Sequence, residues 1–319
     1  MQIVHQADQL RRHPGGYSVA LGMFDGVHLG HQRLIESAIE EGLAAGSIPV
    51  AITFEPHPQT VLQPDRAPLR IQTPEHKLKS LEALGIGAIL VHRFDLEFAQ
   101  LTGAAYLRKL ANEAHPLRHV CVGQGFHFGH LRSGDTDLIE QLGRELNFGV
   151  RIIPPVLVDG EPVSSSRIRQ RIRLGDLTSV DRLLGRTYRL ESVVEEGDRL
   201  GRTIGFPTAN LRVDGLELPP FGVYAAWIDW GGQKLAGVLN IGIRPTLRQP
   251  EPQRRLEVHL LDFDGDLYGQ ILSVTWVQKL RDEKRFADLP SLKAQIEKDV
   301  VMAGTVLNRP AYMKSSMNA

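Results

Sequence analysis

The sequence is poor in cysteine, in net charge and in long apolar runs. Its 319 residues hold one cysteine, Cys121. A single thiol excludes an internal disulfide and any zinc site built on several thiolates. Cys121 stands in the apolar run HVCVG and reads as a core thiol rather than a nucleophile. Lys plus Arg and Asp plus Glu are 37 each, so the formal net charge is zero. Proteins that coat nucleic acid are usually basic, so that class is disfavoured and no nucleic-acid partner is expected. No apolar run approaches the roughly 18 residues that cross a bilayer, so no membrane partner is expected either. The opening MQIVHQADQLRRHPGG lacks an apolar stretch of the signal-peptide kind, which points to a cytoplasmic protein. With 42% hydrophobic and 23% charged residues, what remains is an ordinary globular chain. At a prior of about 150 residues per domain, two domains are expected.

The two halves of the chain have different rhythms. In the first, the short apolar runs YSVALG (17–22), IPVAITF (48–54), GAILVH (87–92), HVCVG (119–123) and VRIIPP (150–155) alternate with helical stretches. HQRLIESAIEEGLAAG places Leu34, Ile35, Ala38, Ile39 and Leu43 near helical spacing, with Gly46 as a stop. TPEHKLKSLEALG offers Thr73 as N-cap, Pro74 at the first helical position and Gly85 past the end. Such alternation predicts a parallel sheet covered on both faces. Beyond LGRTYRLESVV the helical signals fade. GVYAAWIDW, QKLAGVLNIG, RRLEVHLLDF and QILSVTWVQ read as strands, with turn residues in WGGQ and a hairpin turn at Asp264-Gly265. They predict an antiparallel barrel or sandwich. A helix, DLPSLKAQIEKDVVMAG, follows, starting near Asp288 or Ser291, and then a poorly ordered tail. The expected domains are 1–184 and 185–306, with 307–319 as tail.

The run GMFDGVHLGHQ (22–32) fills the turn from the first strand into the first helix. In open α/β sheets ligands bind at the carboxyl ends of strands. A helix N-terminus adds unpaired N–H groups and a positive dipole end. Gly22, Gly26 and Gly30 let the backbone come close to a ligand, and His28 and His31 can stabilise charge on phosphate oxygens. Neither the GxGxxG fingerprint nor a GxxxxGKS/T loop is present here, which disfavours hydride transfer and P-loop chemistry. In SSSRIRQRIR the serines can cap a helix. Arg167 with Arg171, and Arg169 with Arg173, would face two sides of it, leaving most of that charge to solvent.

HLGH resembles the HxGH signature of Rossmann-like nucleotidyltransferases. The longer GMFDGVHLGHQRLI resembles the FMN adenylyltransferase module of bacterial bifunctional riboflavin kinase/FAD synthetases. ITFEPHPQTVL is similar to that module's second-strand motif, VGQGFHFGHLRSGD to its flavin-side loop, and SSSRIRQRIRLGD to its SSTxIR motif. The resemblance implies a Rossmann-like domain in which His28 and His31 are catalytic. It places Gly22, Phe24, Gly30, Ser165 and Arg169 on ATP or its phosphates, and Phe126 and Phe128 on the flavin. At Gly125 the family often carries an acidic residue or asparagine, so one side chain that could bind the flavin or its phosphate is missing.

EEGDRLGRTIGFPTANL spaces Gly197, Gly201 and Gly205 four apart, in a loop able to fold over phosphates with main-chain donors. Thr208 and Asn210, two apart, would share one face of a strand, where Mg²⁺ and nucleotide phosphates fit. DFDGDLYG fails as a calcium loop, because its glycine falls at the fourth position and no glutamate stands at the twelfth. The segment resembles the riboflavin kinase signature GxxxGFPTANL. GVYAAW, NIGIRPT, LEVHLLDFDGDLYG and LRDEKRF continue that family's pattern. The resemblance implies a β-barrel kinase with the three glycines on phosphates, Thr208 and Asn210 on the metal, and Glu257 as base. It covers about residues 15–303. It implies a bifunctional, Mg²⁺-dependent enzyme that phosphorylates riboflavin to FMN and adenylylates FMN to FAD with ATP. Two other readings stand beside it: a kinase that has lost adenylylation, motivated by Gly125, and an RNA-binding scaffold, motivated by the arginines at 167–173. Oligomeric state, a homo-oligomer included, is left open.

Overall fold

Six parallel strands organise the first unit: β1 (Gln2–Val4), β2 (Tyr17–Leu21), β3 (Ile48–Glu55), β4 (Ala88–Arg93), β5 (Leu117–Gly123) and β6 (Gly149–Ile153). Their order is β1-β4-β3-β2-β5-β6, every pair parallel. The computed structural model describes residues 1–197, 200–244 and 253–308. Contacts divide the chain into Met1–Ile168 with Arg182–Gly185, and Arg169–Asp181 with everything from Arg186 onward.

Strand alternation produces two cores in the first unit. Val19, Leu21, Val50, Ile52, Leu90, Val120 and Val122 point to one face. Ala20, Ala51, Ile89, Val91 and Cys121 point to the other. Five helices lie between the strands: α1 (Leu29–Ala45), α2 (Pro58–Leu62), α3 (Pro74–Glu82), α4 (Gly103–Glu113) and α5 (Thr136–Leu146). Leu34, Ile35 and Ala38 of α1 and Leu81 of α3 fill the second face. Leu107 and Leu110 of α4 and Ile139 and Leu142 of α5 fill the first. Each such side chain, fully buried, contributes about 2 kcal/mol. Leu43, expected on the apolar stripe of α1, is instead 80% exposed. It lies in the last turn, where the helix runs past the edge of the core before Gly46 ends it in the left-handed region (φ 62°). Thr73 caps α3 as expected, its side chain accepting from the His76 N–H. Strand β1 is three residues at the sheet edge, too short to show a period.

A short pair, β7 (Leu157–Val158) and β8 (Glu161–Pro162), precedes helices α6 (Ser165–Leu174) and α7 (Leu177–Leu184). The barrel comprises β9 (Leu190–Glu195), β10 (Ala209–Leu211), β11 (Gly222–Trp230), β12 (Gln233–Arg244), β13 (Gln253–Leu260) and β14 (Ile271–Arg281). The order is β10-β13-β12-β11-β14-β9, closed by antiparallel pairing of β9 with β10. Helix α8 (Leu200–Thr203) lies in the loop between those two strands, and α9 (Leu289–Val306) follows the barrel. Asp288 caps α9, accepting from the Ser291 N–H at 2.8 Å. Val300, Ala303 and Leu307 then pack with Val223, Ala225, Ala236 and Val238. The tail expected from 307 begins with this buried leucine, and from 309 it lies outside the described residues.

The WGGQ turn joins β11 to β12 through Gly231 and Gly232, both at positive φ, as a tight hairpin requires. The hairpin expected at Asp264-Gly265 does not form. β14 pairs with β11 and β9, so residues 261–270 carry the chain away from β13. Turn residues signal a reversal, but not the strand to which the chain returns.

Candidate active sites

In the first unit the chain leaves β2 toward β3 on one side, while β5 lies on the other. The carboxyl ends of β2 and β5 therefore flank the point where strand order reverses, the usual ligand crevice of an open parallel sheet. GMFDGVHLGHQ emerges there. Its backbone takes positive φ at Phe24, Gly26 and Val27, which is costly for the two non-glycines. Several ties hold it. Both carboxylate oxygens of the buried Asp25 accept from the Ile71 N–H, at 3.0 and 3.2 Å. Thr53 Oγ1 donates to Met23 O at 3.0 Å, and Ser165 Oγ to Asp25 O at 2.9 Å. Lys77, 4% exposed, reaches Thr53 and the Glu55 carboxylate, the latter at 2.6 Å. Asp25, Thr53 and Glu55 stand inside quoted motifs, but their bonding partners could not be read there, because those partners lie far along the chain.

His28 is the N-cap of α1, its Nδ1 accepting from the His31 N–H at 3.3 Å. With Nδ1 accepting, the ring proton sits on Nε2, and the imidazole can donate to a phosphate oxygen while neutral. The two rings stack, with centroids 3.6 Å apart and planes 15° from parallel. A side chain at residue 30 would press on the His28 ring at 3.2 Å, so Gly30 makes that placement possible. Phe24, expected on ATP, has its ring in the core at 0% exposure, edge-on beneath His31. It is a support for the histidine, because the positive φ at residue 24 turns the side chain inward. Ser165 faces the loop rather than capping α6; Ser164 takes the capping part, accepting from the Arg167 N–H.

The arginines of α6 divide. Arg167 donates to the carbonyls of Val158 and Glu161, and Arg169 is 7% exposed. Arg171 pairs with Asp176, and Arg173 with the fully buried Glu217, yet their side chains stay 38% and 57% exposed. The expectation that this charge lies in solvent therefore holds for the last two arginines and fails for the first two.

Beside Gly22 and Met23 opens a cavity of about 400 Å³. Its wall is aromatic: Phe54, Phe94, Phe98, Tyr106, Phe126 and Phe128. Phe126 and Phe128 stack at 5.5 Å. The predicted pair thus lines this aromatic cavity. Gly125 has φ 75° and open space where a side chain would point, and its carbonyl takes the His127 Nδ1–H at 2.8 Å. His92, stacked on Phe54 beneath this wall, is held by burial and by Lys109 at a pKa of about 4, well below an ordinary imidazole. Burial likewise pushes the Cys121 thiol up to about 12.

The barrel holds a second cavity of about 290 Å³. Gly201, Thr208, Asn210 and Glu257 all line it, so four of the residues read from the sequence meet there. Register explains the meeting: Glu257 of β13 lies opposite Asn210 of β10 on one side and Asn240 of β12 on the other. Asn210 Oδ1 is buried with no hydrogen-bond partner among the described residues. A side chain at residue 197 would come within 2.0 Å of the Asn210 amide, and one at residue 201 within 2.3 Å of Phe206 O. These two glycines are therefore demanded by close approach, and Gly205 by its φ of 87°. The sequence reading missed Asn240, Arg255 and His259, which also line the cavity. His259 Nδ1 donates to Pro207 O at 2.8 Å and so pins the turn before Thr208. Period-2 spacing from Glu257 would have found Arg255 and His259. Thr208 also lines an adjoining cavity with Pro207, Phe263 and Asp266, among others.

Two cavities, each with polar groups beside an apolar body, have the make-up of sites for a polar substrate next to a flat apolar one. Comparison with known proteins makes this specific. A family model described as FAD synthetase matches residues 10–167, and one described as riboflavin kinase matches 184–307. The bifunctional riboflavin kinase/FMN adenylyltransferase of Pseudomonas fluorescens is 37% identical, over 95% of this chain and 97% of its own. That of Escherichia coli (strain K12) is 38% identical over the same shares. A solved structure described as a macrolide-efflux protein from Streptococcus pneumoniae is 29% identical, with a TM-score of 0.76, covering 93% of this chain and 96% of that one. Among the described residues no helix is long and apolar enough to cross a membrane. The chain belongs to the bifunctional riboflavin kinase/FMN adenylyltransferase family.

Proposed function

We propose that the family's two activities divide over this chain as 1–184 for FMN adenylylation and 185–306 for riboflavin phosphorylation. The observation that carries the division is that each family model matches one side of it, and that each side has its own lined cavity.

In the barrel, Glu257 takes the proton of the ribityl hydroxyl as that oxygen attacks the γ-phosphorus of ATP, giving FMN and ADP. The glycines at 197, 201 and 205 let the loop lie against phosphates. Thr208 lines both adjoining cavities, which suits a junction between nucleotide and riboflavin. The metal we assign is Mg²⁺, which when bound would neutralise charge on the nucleotide phosphates. Thr208 and Asn210 fit it. Both offer hard neutral oxygens, and Asn210 Oδ1 lacks a protein partner. No group of three or more His, Cys, Asp or Glu is placed to hold a metal among the described residues.

In the parallel-sheet unit, FMN lays its ring between Phe126, Phe128 and the facing aromatics. Its phosphate oxygen attacks the α-phosphorus of a second ATP, forming FAD and releasing pyrophosphate. Catalysis is alignment plus charge stabilisation, with His28 and His31 donating to phosphate oxygens beside the N-terminus of α1. Ser165 keeps the loop in place through its hydrogen bond to Asp25 O. Both steps consume ATP, which suits the cytoplasmic location expected from the sequence.

A time course with riboflavin, ATP and Mg²⁺, resolving the two products, tests the reading. FMN should rise first and FAD follow. Failure to form FAD from supplied FMN would remove the adenylylation half, and failure to form FMN the kinase half.

A further inference from the structure

We propose that Arg255 is a positioning residue of the kinase reaction, fixing the carboxylate of Glu257 in the orientation from which it takes the substrate proton. The proposal rests on Glu257 being the base.

Arg255 and Glu257 stand two apart on β13, so both side chains leave the same face of the strand. Their α-carbons are roughly 6.6 Å apart at normal strand rise, a gap that arginine spans and shorter cationic chains do not. Arg255 Nη1 donates to Glu257 Oε1 at 2.8 Å. The two side chains are 23% and 24% exposed, and both line the cavity. An ion pair so enclosed is less screened than a surface pair, and its hydrogen bond is of the stronger, charge-assisted kind.

The surroundings make this contact decisive for orientation. Glu257 is flanked in register by Asn210 and Asn240. Arg255 lies opposite Gly242 on β12, a position without a side chain. Of the other cations on the cavity wall, Arg281 is committed to the buried Asp299 through three hydrogen bonds of 2.7 to 3.0 Å. Arg255, by contrast, directs a hydrogen bond to Glu257. A base must come within about 3 Å of the proton it takes, and a misplacement of about 1 Å can cost on the order of 100-fold in rate. A free glutamate samples several rotamers. Arg255 holds one of its oxygens and thereby sets the direction of the other.

The test is a double-mutant cycle on FMN formation by the full-length protein, with FAD formation from added FMN as internal control. Arg255→Gln should lower kcat about ten-fold and leave KM for riboflavin and for MgATP within about two-fold, on the scale of misplacement costs. Arg255→Lys should recover only part of that loss. In a Glu257→Gln background, read from residual turnover at high enzyme concentration, Arg255→Gln should have no further effect. A merely structural arginine would instead lower the rate by the same factor in both backgrounds, and that additivity would overturn the proposal. So would wild-type kcat in Arg255→Gln when Glu257→Gln is inactive. Undiminished FMN formation by Glu257→Gln would overturn the base assignment itself, and this proposal with it.

Discussion

The two proposed sites are built in different ways. The adenylylation site is a loop of residues adjacent in sequence, bent through positive φ and tied down by groups from elsewhere. The kinase site is a wall of side chains from β10, β12 and β13, brought together by strand register. A loop site depends on its ties, and a register site on the integrity of the ladder. The first should lose activity by loosening, the second by losing individual donors.

Removing divalent metal gives the largest expected effect and erases the comparison. Chelation should stop both FMN and FAD formation without changing far-ultraviolet circular dichroism, since protein side chains supply few of the ligands. Loss of fold on chelation would mean a structural metal. Next comes Asn210→Ala, which should cut FMN formation at least 100-fold by the usual weight of a transition-state charge contact. It should raise the Mg²⁺ concentration needed for half-maximal rate and spare FAD formation from FMN.

His31→Ala should lower FAD formation about 100-fold, again on the scale of a lost charge-stabilising donor, with FMN formation unchanged. His28 separates chemistry from capping. His28→Ala should also cost about 1 kcal/mol of stability through the lost cap, whereas His28→Asn, a good cap, should lose the activity while keeping the melting temperature. Equal melting temperatures for the two variants would show that the cap contributes nothing.

The smallest effect concerns His92. Its folded pKa of about 4 lies below the unfolded value of 6.5, so the unfolded chain binds a proton that the folded chain refuses. At pH 7 the folded state is neutral and the unfolded state mostly so, and the penalty is small. As pH falls from 6.5 toward 4, stability drops. His92→Phe should flatten that decline in melting temperature, and an unchanged slope would relieve His92 of responsibility for it.

The same contrast decides how much the sequence disclosed. The parallel-sheet unit was legible because its signals are local: the buried runs of β2 to β5, the Thr73 cap and the Gly46 stop all act within a few residues. HLGH was legible for the same reason. Asp25, Thr53 and Lys77 were not, because what they bond lies far along the chain. In the barrel each strand was visible, but not its neighbours, and so the turn at Asp264-Gly265 was given the wrong partner strand. Asn240 reaches Glu257 only through that hidden pairing. Phe24 sits inside the motif with its ring buried in the core, a placement set by a φ of 55° that cannot be read from letters.

Cys121 has a practical consequence. It is wholly buried in the sheet, and its thiol is held near pKa 12, so very little thiolate exists at neutral pH. Alkylating reagents should pass the folded protein by. A cysteine introduced at the tip of either phosphate loop would then be the single reactive handle on the molecule, and a dye placed there would report on one site without any background to subtract.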